Sequence, residues 1–147
     1  MSGRSSTGFT LLEVLVVISI VGLLATLALF GLPAIQDRTL VLTVSARFLG
    51  LVSQARAISV RTTEPVMIVF SSGHIRLESR IKNVDIPLDD RVKVELVSAR
   101  EISQNASPAI QFVGDGTTTG AKVSFTSGHY GATYSISWLD GAISQTE

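Results

Sequence analysis

From Val14 to Gln36 the chain runs 23 residues without a charged side chain. A helix crossing about 30 Å of hydrocarbon needs about 20 such residues, so this run predicts a membrane-spanning helix. At Asp37 the pattern changes. Val41, Val44, Phe48, Leu51, Ala55 and Ile58 recur at spacings of three and four, the spacing of one helix face, while Arg38, Ser45, Gln54, Arg56 and Arg61 fall mostly off it. A single helix over about Thr10 to Arg61 follows, on the order of 75 Å long at 1.5 Å per residue. Its first half is apolar all round, and its second carries one stripe that should pack on a sheet. Gly31 and Pro33 predict a kink in the apolar half, because proline removes a backbone hydrogen bond and crowds the preceding turn.

Beyond Thr62-Thr63 the period shortens to two. Val66–Phe70 predicts a buried strand, Ser71-Ser72-Gly73 a turn, and His74–Glu78 a half-exposed strand closing a hairpin. Further strands are expected at Arg91–Val97, Ala109–Val113, Lys122–Phe125 and Thr133–Trp138, with turns at Gly114-Asp115-Gly116 and Asp140-Gly141 and a last short strand at Ala142-Ile143. The fold class is therefore α+β, one long helix laid on an antiparallel sheet system.

Composition limits what this architecture can do. The 147 residues suit one domain plus one long extra element. Lys+Arg and Asp+Glu number 12 each, so no global charge draws the chain to nucleic acid or anionic lipid. With no cysteine, disulfides and thiolate metal sites are excluded, and the sheet domain must rely on its own core.

The segment ahead of the apolar run reads Met1-Ser-Gly-Arg4-Ser-Ser-Thr-Gly8, then Phe9-Thr10-Leu11-Leu12-Glu13. A secretory signal peptide would need an apolar core of roughly 7–15 residues and a small-x-small cleavage site after it. This run is longer, and Gly31-Leu32-Pro33-Ala34 is a poor site. A plain membrane anchor accounts for the length but leaves Glu13, a carboxylate at the edge of the apolar stretch, with only the helix dipole to explain it. Such groups are costly in membrane helices and usually functional.

Gly8-Phe9-Thr10-Leu11-Leu12-Glu13 resembles the class III signal of type IV pilins and type II secretion pseudopilins. The resemblance implies that a prepilin peptidase cuts between Gly8 and Phe9 and methylates the new Phe9 amine. The apolar run then stays in the mature protein, and the Glu13 carboxylate neutralises the Phe9 amine of a neighbouring subunit. That pair makes two charges tolerable in an apolar bundle and fixes the offset between subunits. Arg4 is the only basic side chain of the leader, so orientation by the positive-inside effect rests on it alone. The resemblance extends to the GspH/FimT family of minor pseudopilins and pilins through Gln54–Arg61 and its following strand, and through the tail: Ile110-Gln-Phe, Gly114-Asp-Gly, Gly120, Val123-Ser-Phe, Tyr134-Ser-Ile and Asp140-Gly-Ala-Ile143. Arg80 to Ser107 matches in general character only.

No catalytic set is visible. His74 and His129 fall in or beside glycine-containing turns and are expected to be solvated. Asp89-Asp90 lacks calcium-loop spacing, and Gly114-Asp115-Gly116 with Thr117 to Thr119 is better explained as a turn than as a cation site. No cofactor, metal site or enzymatic activity is expected. Nucleic-acid binding is not expected either, since no basic residue follows Lys122 and the chain ends Ser144-Gln-Thr-Glu147.

The resulting expectation has four parts: a leader at 1–8, a transmembrane and filament-core helix at 9–36, an amphipathic half at 37–62 and a periplasmic sheet domain at 63–147. The resemblance implies a single-pass inner-membrane protein. It would be a minor pseudopilin of a type II secretion system, assembled near the pseudopilus tip with major and minor pseudopilins, the prepilin peptidase and the assembly platform as partners. A minor type IV pilin for pilus priming or DNA uptake is the alternative. A membrane-anchored periplasmic binding module is a third class, set apart by the Gly8–Glu13 motif.

Overall fold

The computed structural model describes residues 10–98 and 108–146; the side chains of 27–34 and 98 fall outside that description. One helix, α1, spans Leu11–Thr62. Among the described residues eight strands follow: β1 Val66–Ser71, β2 His74–Glu78, β3 Val84–Pro87, β4 Lys93–Ser98, β5 Ala109–Phe112, β6 Ala121–Ser127, β7 Tyr130–Ile136 and β8 Ile143–Thr146. They form two antiparallel four-stranded sheets, ordered β3-β2-β1-β5 and β4-β6-β7-β8. The chain divides into two compact units, Met1–Ile35 and Gln36–Glu147. The helical backbone continues through Gly31 and Pro33, the place where the sequence predicts a kink.

In the second unit the predicted stripe is the core. Val41, Phe48, Leu51, Val52 and Ala55 are fully buried. Phe48 touches an aromatic ring from each sheet: Phe70 of β1 at 5.9 Å and Phe125 of β6 at 5.3 Å between centroids, both tilted. Tilted pairs at this separation stabilise beyond their buried area. Phe48 thus joins the helix to both sheets.

The predicted hairpin forms, with Ser71 opposite His74 and Gly73 at φ +81°. β3 was not expected. It is only four residues long and contains Asp85 and Pro87, residue types depleted in strands, and it is held by pairing to β2, including His74 opposite Pro87. Proline is tolerated there because β3 is an edge strand and needs no outer ladder bond. The sequence placed the strand before Trp138 three residues late: β7 starts at Tyr130, directly after the two-residue Gly128-His129 loop.

Two close approaches fix how α1 meets the loops. Asp37 accepts a hydrogen bond from the Ser127 hydroxyl at 3.0 Å, and its carboxylate fills the space where a side chain on Gly128 would lie. At the other end α1 stops at Thr63, which adopts φ +58°. That left-handed residue ends many helices and is usually glycine. Gly114 packs directly on the Thr63 backbone, where a Cβ would come within 2.6 Å of Thr63 Cα.

Candidate functional site

The sequence-predicted site lies at the start of α1. Thr10 caps the helix: the Glu13 N–H donates to the Thr10 carbonyl at 3.0 Å and to its hydroxyl oxygen at 3.3 Å. Thr10-Leu11-Leu12-Glu13 has the Thr-x-x-Glu form of a capping box, a local signal the sequence analysis did not use. Glu13 is exposed on the first turn, where the free N–H groups and the helix dipole favour a negative charge. Gly8 and Phe9, the predicted scissile pair, lie outside the described residues.

Around Glu13 the helix offers little but apolar surface. Leu11 is 85% exposed and Ile18 65%, and Leu12, Leu15, Val17, Val21, Leu23 and Leu24 are exposed on every side of the segment. The hydroxyls among them are satisfied within the helix. Ser19 donates to the Leu15 carbonyl at 2.8 Å and Thr26 to the Leu23 carbonyl at 2.7 Å. Such bonds let serine and threonine sit in apolar surroundings without orphaned donors. Among the described residues no helix is long and apolar enough to cross a membrane. The run that predicts the span includes residues 27–34, whose side chains are not described.

The other candidates have local partners. Asp89 takes a two-pronged bond from Arg91, Nε to Oδ1 at 3.0 Å and Nη2 to Oδ2 at 3.1 Å. The Arg91 side chain holds the Asp89 carboxyl below its usual range, helped by the Arg91 N–H. Asp115 accepts from the Thr117 hydroxyl at 2.7 Å and the Thr117 N–H at 2.9 Å, and the hydroxyl chiefly lowers its pKa. Both carboxylates therefore stabilise turns. His74 Nδ1 lies 2.9 Å from Asp85 across β2 and β3, and Asp85 also accepts from Arg76 Nε at 3.3 Å. His129 is exposed in the Gly128-His129 loop.

Residues 3–29 match the model of the prokaryotic N-terminal methylation motif. The match covers the predicted processing motif and the start of α1, and the helix and two antiparallel sheets that follow are an α+β fold. The fold is similar to that in the crystal structure of the type IV minor pilin FimU of Pseudomonas aeruginosa strain PAO1. The TM-score is 0.57 at 12% identity, over 75% of this chain and 90% of that one. No curated protein matches the chain by sequence.

Proposed function

We propose that the chain is a minor pseudopilin of a type II secretion system. In this reading it waits in the inner membrane by the apolar half of α1, with its sheet domain in the periplasm. The prepilin peptidase cuts between Gly8 and Phe9 and methylates the new amine. The subunit then joins a short pseudopilus near its tip, alongside other pseudopilins and the assembly platform. The chemistry is done to the chain, which catalyses none.

One observation carries the proposal: an exposed carboxylate, Glu13, on the first turn of a helix that carries no other charged residue before Asp37 and whose described surface there is mostly apolar. Cleavage would leave Phe9 one residue ahead of the Thr10 cap. Its ammonium would then stand at the positive end of the helix dipole, an unfavourable place for a cation. A carboxylate from the next helix relieves both that repulsion and the cost of placing Glu13 in an apolar bundle. The pairing also sets the axial offset between subunits.

The absence of cysteine and of a basic C-terminal cluster supports secretion over DNA uptake. The likeness to a type IV minor pilin supports the second reading, a minor pilin that primes pili. Gene deletion separates them. Loss of exoprotein secretion with intact twitching and transformation supports the secretion role, and the reverse phenotype sinks it. In the same strain, Glu13→Ala should still be cut after Gly8, seen as the mass of the shortened chain, yet fail to restore the lost phenotype. Full restoration would remove the pairing argument under either reading.

A further inference from the structure

A groove of about 540 Å³ runs between the last turns of α1 and the start of β8. Arg56, Val60 and Arg61 line one wall, and Gly141, Ala142 and Ile143 the other. Three properties of this groove point the same way.

The first is backbone. β8 is the edge of its sheet and pairs only with β7, so the outer side of its backbone has no ladder partner among the described strands. Such an edge accepts an added strand. The second is charge. Arg56 and Arg61 are exposed and form no ion pair among the described residues. Asp140 stands at the rim and its charge attracts Arg56, but its carboxylate makes no ion-pair contact among the described residues and is held in its own turn, accepting from the Ala142 N–H at 3.0 Å and from the Ser137 hydroxyl. The third is an apolar anchor on a braced loop. Trp138 is 67% exposed and Leu139 62%, on the loop that leads into the groove. The Trp138 carbonyl accepts from the Thr118 N–H, the Ser137 carbonyl from the Gly141 N–H and the Ala142 carbonyl from the Ser137 N–H, each at 2.9 Å. A large aromatic side chain presented by a fixed backbone is the usual centre of a binding surface.

We propose that this groove captures an extended acidic segment of a partner protein as an added strand on β8. Its carboxylates meet Arg56 and Arg61, and its apolar side chains lie on Val60 and the Trp138-Leu139 loop. The alternating donors and acceptors of a strand edge suit a peptide backbone, which a nucleic-acid phosphate chain cannot match. The inference does not depend on whether the chain serves secretion or a pilus.

Trp138 is the single tryptophan of the chain and lies on the loop that enters the groove at Gly141, so its emission serves as the readout. The test titrates the full chain, held in detergent, with a synthetic peptide of about ten residues alternating valine and glutamate, long enough for one strand. A valine–lysine peptide and an oligothymidine serve as comparisons. The expected result is a saturable blue shift with the acidic peptide alone, with slowed amide exchange at residues 143–146. The double variant Arg56→Gln/Arg61→Gln should weaken binding about tenfold while leaving the domain's unfolding midpoint unchanged. No shift at millimolar peptide, equal binding of the lysine peptide, or binding of the oligonucleotide would each overturn the proposal. So would concentration-dependent burial of Trp138 without peptide, which would give the groove to a second copy of the chain.

Discussion

The two halves of α1 are both rich in leucine and valine, yet they dispose of that surface in opposite ways. In the second half most apolar positions fall on one stripe, and the chain itself covers that stripe: Phe48 is fully buried between rings of two sheets. In the first half apolar positions occur all round, and nothing within the described chain covers them. Hydrophobic content is therefore a poor guide to what a helix does. Its angular distribution separates a face for the chain's own core from a surface left for an outside apolar environment.

The contrast is broken or upheld most sharply by matched truncations. Phe48→Ala removes the ring that joins both sheets and should cost about 3–5 kcal/mol of domain stability, measured by denaturant unfolding of the sheet signal. Leu15→Ala, an exposed apolar residue of the first half, should leave that stability within about 0.5 kcal/mol. Comparable losses from both would mean that the first half contributes to the folded unit after all.

A smaller effect tests how the striped half ends. Gly114 lies against the backbone of Thr63, and backbone cannot swing aside as a side-chain tip can. Gly114→Ala should therefore cost about 1–3 kcal/mol through overpacking, read in the same unfolding assay. An unchanged midpoint would show that the helix end and the loop before β6 can separate freely.

The sequence was legible where a period was long or a turn residue unambiguous. The helix, its striped half and the β1–β2 hairpin could all be read, because each rests on local repetition. β3 was missed because four residues are too few to show a period, two of them are the strand-poor Asp85 and Pro87, and the pairing to β2 makes it a strand. The division into two sheets was equally hidden, since it depends on which strands meet rather than on their composition. At the helix end Thr63 takes a conformation usually given to glycine, so the usual glycine signal is missing and Pro65 is what marks the boundary. Glu13 was found from its place beside the apolar run, although the Thr10 cap that orders its turn was equally readable. The groove beside β8 could not be read, because Arg56 and Ile143 are brought together only by the fold.

The smallest predicted effect concerns acid, and it too should belong to the sheet unit. Asp89, Asp115 and Asp140 all have lowered pKa values, set chiefly by the Arg91 side chain, the Thr117 hydroxyl and the Ser137 hydroxyl in turn. A lowered value means that the folded state holds the proton less tightly than the unfolded one. The stabilisation is then fully present above the ordinary carboxylate pKa of about 4, and it is lost as pH falls through the folded values. All three groups are solvent-exposed, so the change should be slight and screened by salt. Unfolding midpoints should stay flat from neutral pH down to about 5 and decline below about 4. Asp115→Asn should make that decline shallower, because the amide at 115 no longer titrates. An undiminished slope in that variant would show that the Asp115–Thr117 turn contributes nothing to acid sensitivity.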